Sequence, residues 1–197
     1  MILALRRARF CILTVAAIYV VSAIAGILMV HAGNRLAISY RDRIVGRALA
    51  GDPAARALSG GHRARAAIID FGRNLLLGAL PQTISGLGIV PPYFIGAFRG
   101  WVGGIVSIDG NHRSRLASAP QRNYYLGVLI LQMLPFSLTG GAGVHLGLSC
   151  YRIWRDSGLP RRWNLLMPRA ALVDVAWIYA LSVPLFLLAS SVEFLKF

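Results

Sequence analysis

The side chains in this sequence most able to do chemistry are charged or amide groups set inside long apolar runs: Asp70, Arg73, Arg99, Gln132, Asp174 and Glu193. In hydrocarbon such groups pair with one another, snorkel to an interface, or mark a path for ions or substrates. Arg99 lies seven residues beyond Pro92, about 10 Å along a helix. An unpaired arginine at depth costs at least about 2.5 kcal/mol. Asp174 lies four or five residues into the last apolar run. If successive runs alternate in direction, Arg99 and Asp174 share a depth and are expected to pair or to share a polar pocket. Asp70 and Arg73 have the i, i+3 spacing of a same-helix ion pair, with Glu193 on their side. Gln132, near the middle of its run, and His145 each need a hydrogen-bond partner away from water. A structural ion pair is the plainer use of these groups, and a transport site the sharper one.

No catalytic constellation accompanies them. The sequence holds no Gly-x-Ser-x-Gly, no Walker-type phosphate loop and no His-Glu-x-x-His. His31, His62, His112 and His145 are scattered, and the 7 acidic residues form no close pair suited to acid–base work. Cys11 and Cys150 sit at the edges of apolar runs without partners in metal-ligand spacing. The reading is therefore non-enzymatic, with no cofactor and no metal.

The elements that would carry these groups are helices in a bilayer. Hydrophobic residues make up 56% of the 197 residues and charged residues 14%, against about 25% charged in soluble domains; the mean hydropathy is +0.61. Five apolar blocks follow one another: about Phe10–Val30, Ile68–Val90, Pro92–Ile108, Tyr124–Leu148 and Ala170–Phe194. Each approaches the roughly 20 residues that a span requires. The expected fold is all-α and polytopic, a single integral membrane domain of about five transmembrane helices. It divides into a first span over 1–30, an amphipathic extramembrane segment over 31–68 and a four-helix membrane core over 69–197. The first block sits behind Arg6, Arg7 and Arg9 and has a cleavage-like Ala23-Ile24-Ala25, yet it is too long for a usual signal peptide and reads as a retained helix. Pro81, Gly86 and Gly88 predict a kink in the second block, and Val90-Pro91-Pro92 a tight hairpin into the third.

In the 31–68 segment Leu36, Tyr40, Ile44 and Ala48 recur every fourth residue, with Arg35, Arg43 and Arg47 largely elsewhere on the wheel. Such a helix lies in the headgroup plane or packs on the bundle with its basic face in solvent. Asp52-Pro53 reads as an N-cap with proline at the first helical position, and Ser59-Gly60-Gly61 as the stop. The net charge of +14 gathers at the ends of the apolar runs and in the loops, including the run from Arg152 through Arg155, Arg161 and Arg162 to Arg169. That placement suits anionic lipid headgroups and excludes a nucleic-acid role. The basic start sets the N-terminus inside, although the loops in sum carry more basic residues on the other side.

Small residues recur at helical spacing: Gly96, Gly100 and Gly104 in the third block, Gly143 and Gly147 in the fourth. In lipid such faces let helix backbones approach closely. They serve packing within the chain or docking of another membrane subunit, and spacing alone leaves both open.

Four pieces between Phe71 and Glu193 carry a likeness to a family. These are Phe71-Gly72-Arg73-Asn74-Leu75, Tyr93-Phe94-Ile95-Gly96, the glycine-rich Gly140-Gly141-Ala142-Gly143-Val144-His145-Leu146-Gly147, and a last span from Val183-Pro184 that ends at Glu193. They resemble the stage II sporulation protein M family of bacterial integral membrane proteins. The chain departs from that pattern at Gly127-Val128-Leu129, where the family has Pro-His-Gly, at Gln132, where it has Glu, and at Pro91-Pro92, where it has Asn-Gly. The resemblance implies a divergent, non-enzymatic member in the bacterial cytoplasmic membrane. It would act as a scaffold or assembly protein that recruits membrane or envelope partners during cell-wall remodelling, and an oligomer is compatible with its glycine faces. The rival expectation is a transporter or permease subunit with a midplane polar site, since polar groups and a proline break such as Pro135 mark transport sites.

Overall fold

The computed structural model describes residues 1–157 and 167–195. Arg161 and Arg162, counted above among the loop charges, lie outside the described residues. The chain is helical, and no strand occurs among the described residues. Helix α1 covers Ile2–His31, α2 Arg35–Gly51, α3 Pro53–Ser59, α4 Arg63–Arg73, α5 Leu80–Ser85, α6 Pro91–Ile105, α7 Ala119–Ser157 and α8 Arg169–Leu195. Between α4 and α5 the backbone widens into a π-turn over Asn74–Ala79, and after α5 it tightens into a 3-10 turn over Gly86–Gly88. The segment 63–88 is thus one rod, broken where the sequence places Pro81, Gly86 and Gly88. A proline removes an amide donor and crowds the turn before it, and the π-turn lies just ahead of Pro81.

Three helices, α1, α7 and α8, are long and apolar enough to cross a membrane. In α1 and α8 only 22% and 28% of the most apolar stretch is buried. Their apolar side chains therefore point outward, as lipid-covered helices do and a water-soluble core does not. The 63–88 rod lacks one long regular helix, and the 15 residues of α6 rise only about 22 Å. These two segments nevertheless pack inside the bundle. Helix α6 runs parallel to α1, with Gly96, Gly100 and Gly104 set against Val15, Tyr19 and Ala23. Helix α7 runs the opposite way, its Gly141 against Ile12 and its Gly143 and Gly147 against Thr83 and Gly86 of the rod. Helix α8 is antiparallel to both α7 and the rod, pairing Asp174 with His145, Tyr179 with Thr83, and Ser190 with Asp70. The first span is therefore not set apart from a four-helix core: α1, the rod, α6, α7 and α8 form one five-segment bundle of alternating direction.

The glycine spacing is spent inside the chain. A Cβ added at Gly100 falls onto the carbonyl oxygen of Tyr19, and one at Gly104 onto that of Ala23. The reading of these faces as a partner interface gives way to helix packing, because the backbones of α1 and of the rod already occupy them.

Outside the bundle, α2 lays Tyr40 and Ile44 on the end of α6. Tyr40 meets Trp101 with ring centroids 5.1 Å apart, and Phe98 at 6.2 Å. Asp52 caps α3 by accepting from the Ala54 amide at 2.7 Å, as its Asp-Pro pair predicts. Arg41, unremarked in the sequence, is 4% exposed and donates to Asp42 and to the Ile108 carbonyl. At the hairpin into α6, Ile89 adopts φ 65°, ψ −50° and the Val90 amide donates to the Gly88 carbonyl at 2.7 Å. This is a γ-turn of the strained, positive-φ kind, unusual for a β-branched residue.

Gly100 and Gly72 make a contrast that can be measured. Gly100→Ala is expected to lower stability by about 1–3 kcal/mol, since the added methyl meets backbone. Gly72→Ala, where a Cβ meets nothing within 4 Å, should be neutral or stabilising by up to about 1 kcal/mol. Unfolding followed by circular dichroism in mild detergent reads the difference.

Candidate polar cavity

The intramembrane polar residues separate into two sites. The first lies where α1 and α8 begin. Asp174 is 1% exposed and takes both Arg7 (Nε at 2.8 Å, with Nη2 on the other oxygen) and His145 at 3.2 Å. Asp174 therefore does not pair with Arg99, nor share a pocket with it. The depth argument omitted Arg7, which as a basic flank of α1 reaches the same carboxylate from the helix end. Helix α1 begins beside α8, so this cation comes from the interface and no arginine need be held at depth.

The second site is a cavity of about 790 Å³ between the rod, α6, α7 and the end of α8. Its polar groups are Asp70 and Asn74 from the rod, Arg99 from α6, Gln132 from α7, Glu193 from α8, and Arg115, Tyr124 and Tyr125 at the end where α1 finishes. Gln132 donates to Glu193 Oε2 at 2.9 Å. Asp70 Oδ2 accepts from Ser190 at 2.7 Å and from Asn74 at 2.9 Å. Asp70 does not pair with Arg73. Arg73 turns outward to Asp52, which the cap of α3 holds above it, and the π-turn begins at the next residue, so the side chains past Arg73 follow a wider path. Glu193 joins Asp70 at the cavity, as its side of the bundle implies.

Arg99 is the central feature. Its guanidinium lies over the Phe136 ring at 3.8 Å from the centroid. A Cβ added at Gly78 would stand 2.7 Å from Arg99 Nη2 and 2.9 Å from the Phe136 ring. The glycine in the π-turn therefore makes the space into which the cation fits. Among the described residues Arg99 makes no ion pair. A desolvated cation–π contact contributes on the order of 2 kcal/mol and uses the face of the guanidinium, so its N–H edge remains for an acceptor. Asp70 and Glu193 in turn accept only neutral donors. Two carboxylates and two arginines thus line one cavity without pairing among themselves.

Outside the spans the acids are handled differently. Arg41, and after it His112, holds the Asp42 carboxyl below the usual carboxylate range, and the Arg113 and Asn111 amides do the same for Asp109. Asp42 ties α2 to the 106–118 loop through His112, and Asp109 closes that loop on itself. Among the described residues no cluster of His, Cys, Asp or Glu is arranged to hold a metal.

Of the residues singled out in the sequence, the fold brings Asp70, Arg99, Gln132 and Glu193 to the cavity. It sends Asp174 to the opposite face and turns Arg73 away from the cavity to Asp52. Asn74, Tyr124, Arg115 and Ser190 carry no spacing signal and went unremarked as site residues. Gln82, wholly buried with both amide atoms unpartnered, is a further one, and its position one residue after Pro81 gave no warning. Compared with known protein families, with curated proteins and with solved structures, the chain matches none.

The ion pair at the first site can be tested directly. Arg7→Met is expected to lower stability, because the Asp174 carboxylate stays buried with its cation gone. The double variant Arg7→Met with Asp174→Asn should recover most of that loss, and a double-mutant cycle on thermal unfolding gives the coupling.

Proposed function

We propose that this chain is a five-pass, non-enzymatic protein of the bacterial cytoplasmic membrane, with its N-terminus inside, that works as a binding subunit of transporter or permease type. The observation that carries the reading is the convergence of Arg99, Gln132, Asp70 and Glu193, from four segments, on one cavity. A packed, dry centre would have opposed it. The broken rod fits the same reading, since discontinuous helices line substrate sites in many transporters. Alternating direction along the five segments supports five passes. The interruption at Asn74–Ala79 and the shortness of α6 account for the two segments that fall short on length alone.

A second reading has its own observation. Arg35, Arg43, Arg47, Arg56, Arg63 and Arg65 are all exposed on α2, α3 and the start of α4. This basic platform suits anionic lipid or an acidic envelope protein. It fits the assembly role implied by the likeness to the stage II sporulation protein M family, of which this chain would be a divergent member. With the glycine faces occupied, a partner would dock on this platform.

Topology and cavity are tested together. In a variant with Cys11 and Cys150 replaced by alanine, single cysteines at Gly33 and Asn111 should react with an impermeant maleimide from one side of the membrane, and those at Val90 and Asp156 from the other. Labelling of Val90 from the same side as Gly33 would remove the second and third passes. Gln132→Leu should abolish uptake or binding of the cargo while leaving membrane insertion and detergent-extracted yield unchanged. For the assembly reading, replacing Arg35, Arg43 and Arg47 with glutamine should weaken binding to vesicles containing phosphatidylglycerol, read by co-sedimentation, by on the order of a hundredfold, each charge being worth about 1 kcal/mol.

A further inference from the structure

The walls of the cavity and the placement of its charges restrict what can occupy it. The end near Arg115, Tyr124 and Glu193 lies where α1 finishes and α7 starts, whereas Phe94 and Phe98 lie deeper and are 72% and 53% exposed. The cavity therefore opens sideways through an aromatic wall, toward the surface that lipid covers, and its polar end points toward the membrane face. A molecule entering sideways would hold its polar group near the face and its apolar part toward the bilayer centre, the orientation of a lipid in that leaflet. The volume, about 790 Å³, falls in the range of small-molecule sites, about 300–1,000 Å³. It suits a headgroup with the first part of its chains.

The charges narrow the headgroup. Arg99 presents a free N–H edge and Arg115 a second guanidinium, which suit a phosphate. Asp70 and Glu193 retain acceptor capacity beyond their neutral donors, which suits an ammonium that can donate hydrogen bonds. With two charges of each sign, the lining discriminates against a purely anionic occupant, which would meet two carboxylates, and against a purely cationic one, which would meet two arginines. Resting on the reading of the cavity as a binding site, we infer that it takes a phospholipid whose headgroup carries both a phosphate and a primary amine, phosphatidylethanolamine in chemical class. The phosphate sits on Arg99 and Arg115 and the amine on Asp70 and Glu193.

The test uses the full chain, purified in mild detergent and exchanged against equimolar phosphatidylethanolamine, phosphatidylglycerol and phosphatidylcholine, with retained lipid counted by native mass spectrometry. The expected result is retention of phosphatidylethanolamine over the other two by about tenfold, the discrimination of one charge-assisted contact. Phosphatidylcholine, which has the charge but no N–H, isolates the hydrogen bond. Arg99→Gln and, with charge kept but the planar fork lost, Arg99→Lys should each reduce retention of all three. Glu193→Gln should narrow the preference over phosphatidylglycerol while the protein remains monodisperse. Tail-free glycerophosphoethanolamine should neither bind nor displace. Phosphatidylglycerol held as well as phosphatidylethanolamine, or a preference unmoved by Glu193→Gln, would overturn the headgroup assignment. Displacement by the tail-free compound would overturn the lipid. Either result leaves a binding cavity so long as retention depends on Arg99. If nothing retained responds to Arg99, the binding reading falls with it.

Discussion

The bundle depends on backbone meeting backbone where α1 crosses α6. Lipid chains are as apolar as leucine, so helices in a membrane gain little from burying oily side chains against one another. They associate through close van der Waals contact and through polar groups that cannot find water. Gly100 and Gly104 bring α6 onto the carbonyls of Tyr19 and Ala23. This contact lets a helix of 15 residues sit firmly among much longer ones. It also fixes the azimuth of α6. With the glycine edge turned to α1, Arg99 is directed away from that seam toward Phe136 and the rod.

The same device recurs where the rod meets α7. Gly86 and Gly147 come together, and Gly143 lies on Thr83. Thr83 then satisfies its hydroxyl with the Thr139 carbonyl and Tyr179. Close approach at this end and the π-turn at the other leave the rod dry against α7 below and parted from it above. The cavity is what remains between those two regimes. Its polarity follows from position: the rod brings Asp70 and Asn74, α7 Gln132 and α8 Glu193 to the level at which they separate.

Much of this order was legible in the residues. Apolar blocks of the right length and the Gly-xxx-Gly spacing located all five segments, and Asp52-Pro53 located the start of α3. Gln132 and Glu193 stood out because amides and acids are rare in such runs. What spacing did not carry was azimuth and partner. Parity alone gives Arg99 and Asp174 one depth, but α6 begins partway along α1, so Arg99 sits beside Gly100 at the level of Tyr19 while Asp174 meets Arg7 at the start of α1. Arg7 was legible as a topological charge and not as the partner of Asp174, because the rule that reads flanking charges is blind to where a long side chain can reach. Asp70 and Arg73 both lie in the regular helix α4, but Arg73 is taken by Asp52 from outside that helix, which spacing along one helix does not show. The division between glycine faces used inside the chain and those left for another subunit required the fold itself.

The widened turn over Asn74–Ala79 holds one residue more than an α-helix would need for the same advance. Each residue of an α-helix turns the face by about 100°, and π-turns of this kind are frequent at functional sites. The extra residue therefore acts as a phase shift. Above it Asp70 and Asn74 face the cavity, and below it Thr83 and Gly86 face α7, two directions that one uninterrupted amphipathic stripe would not serve. Loss of a single codon here would leave composition and hydropathy almost untouched and the helix more regular, yet it would rotate one half of the rod against the other. In a chain built this way the length of the segment between Asp70 and Thr83 is as much a part of the site as the identity of the residues at its ends.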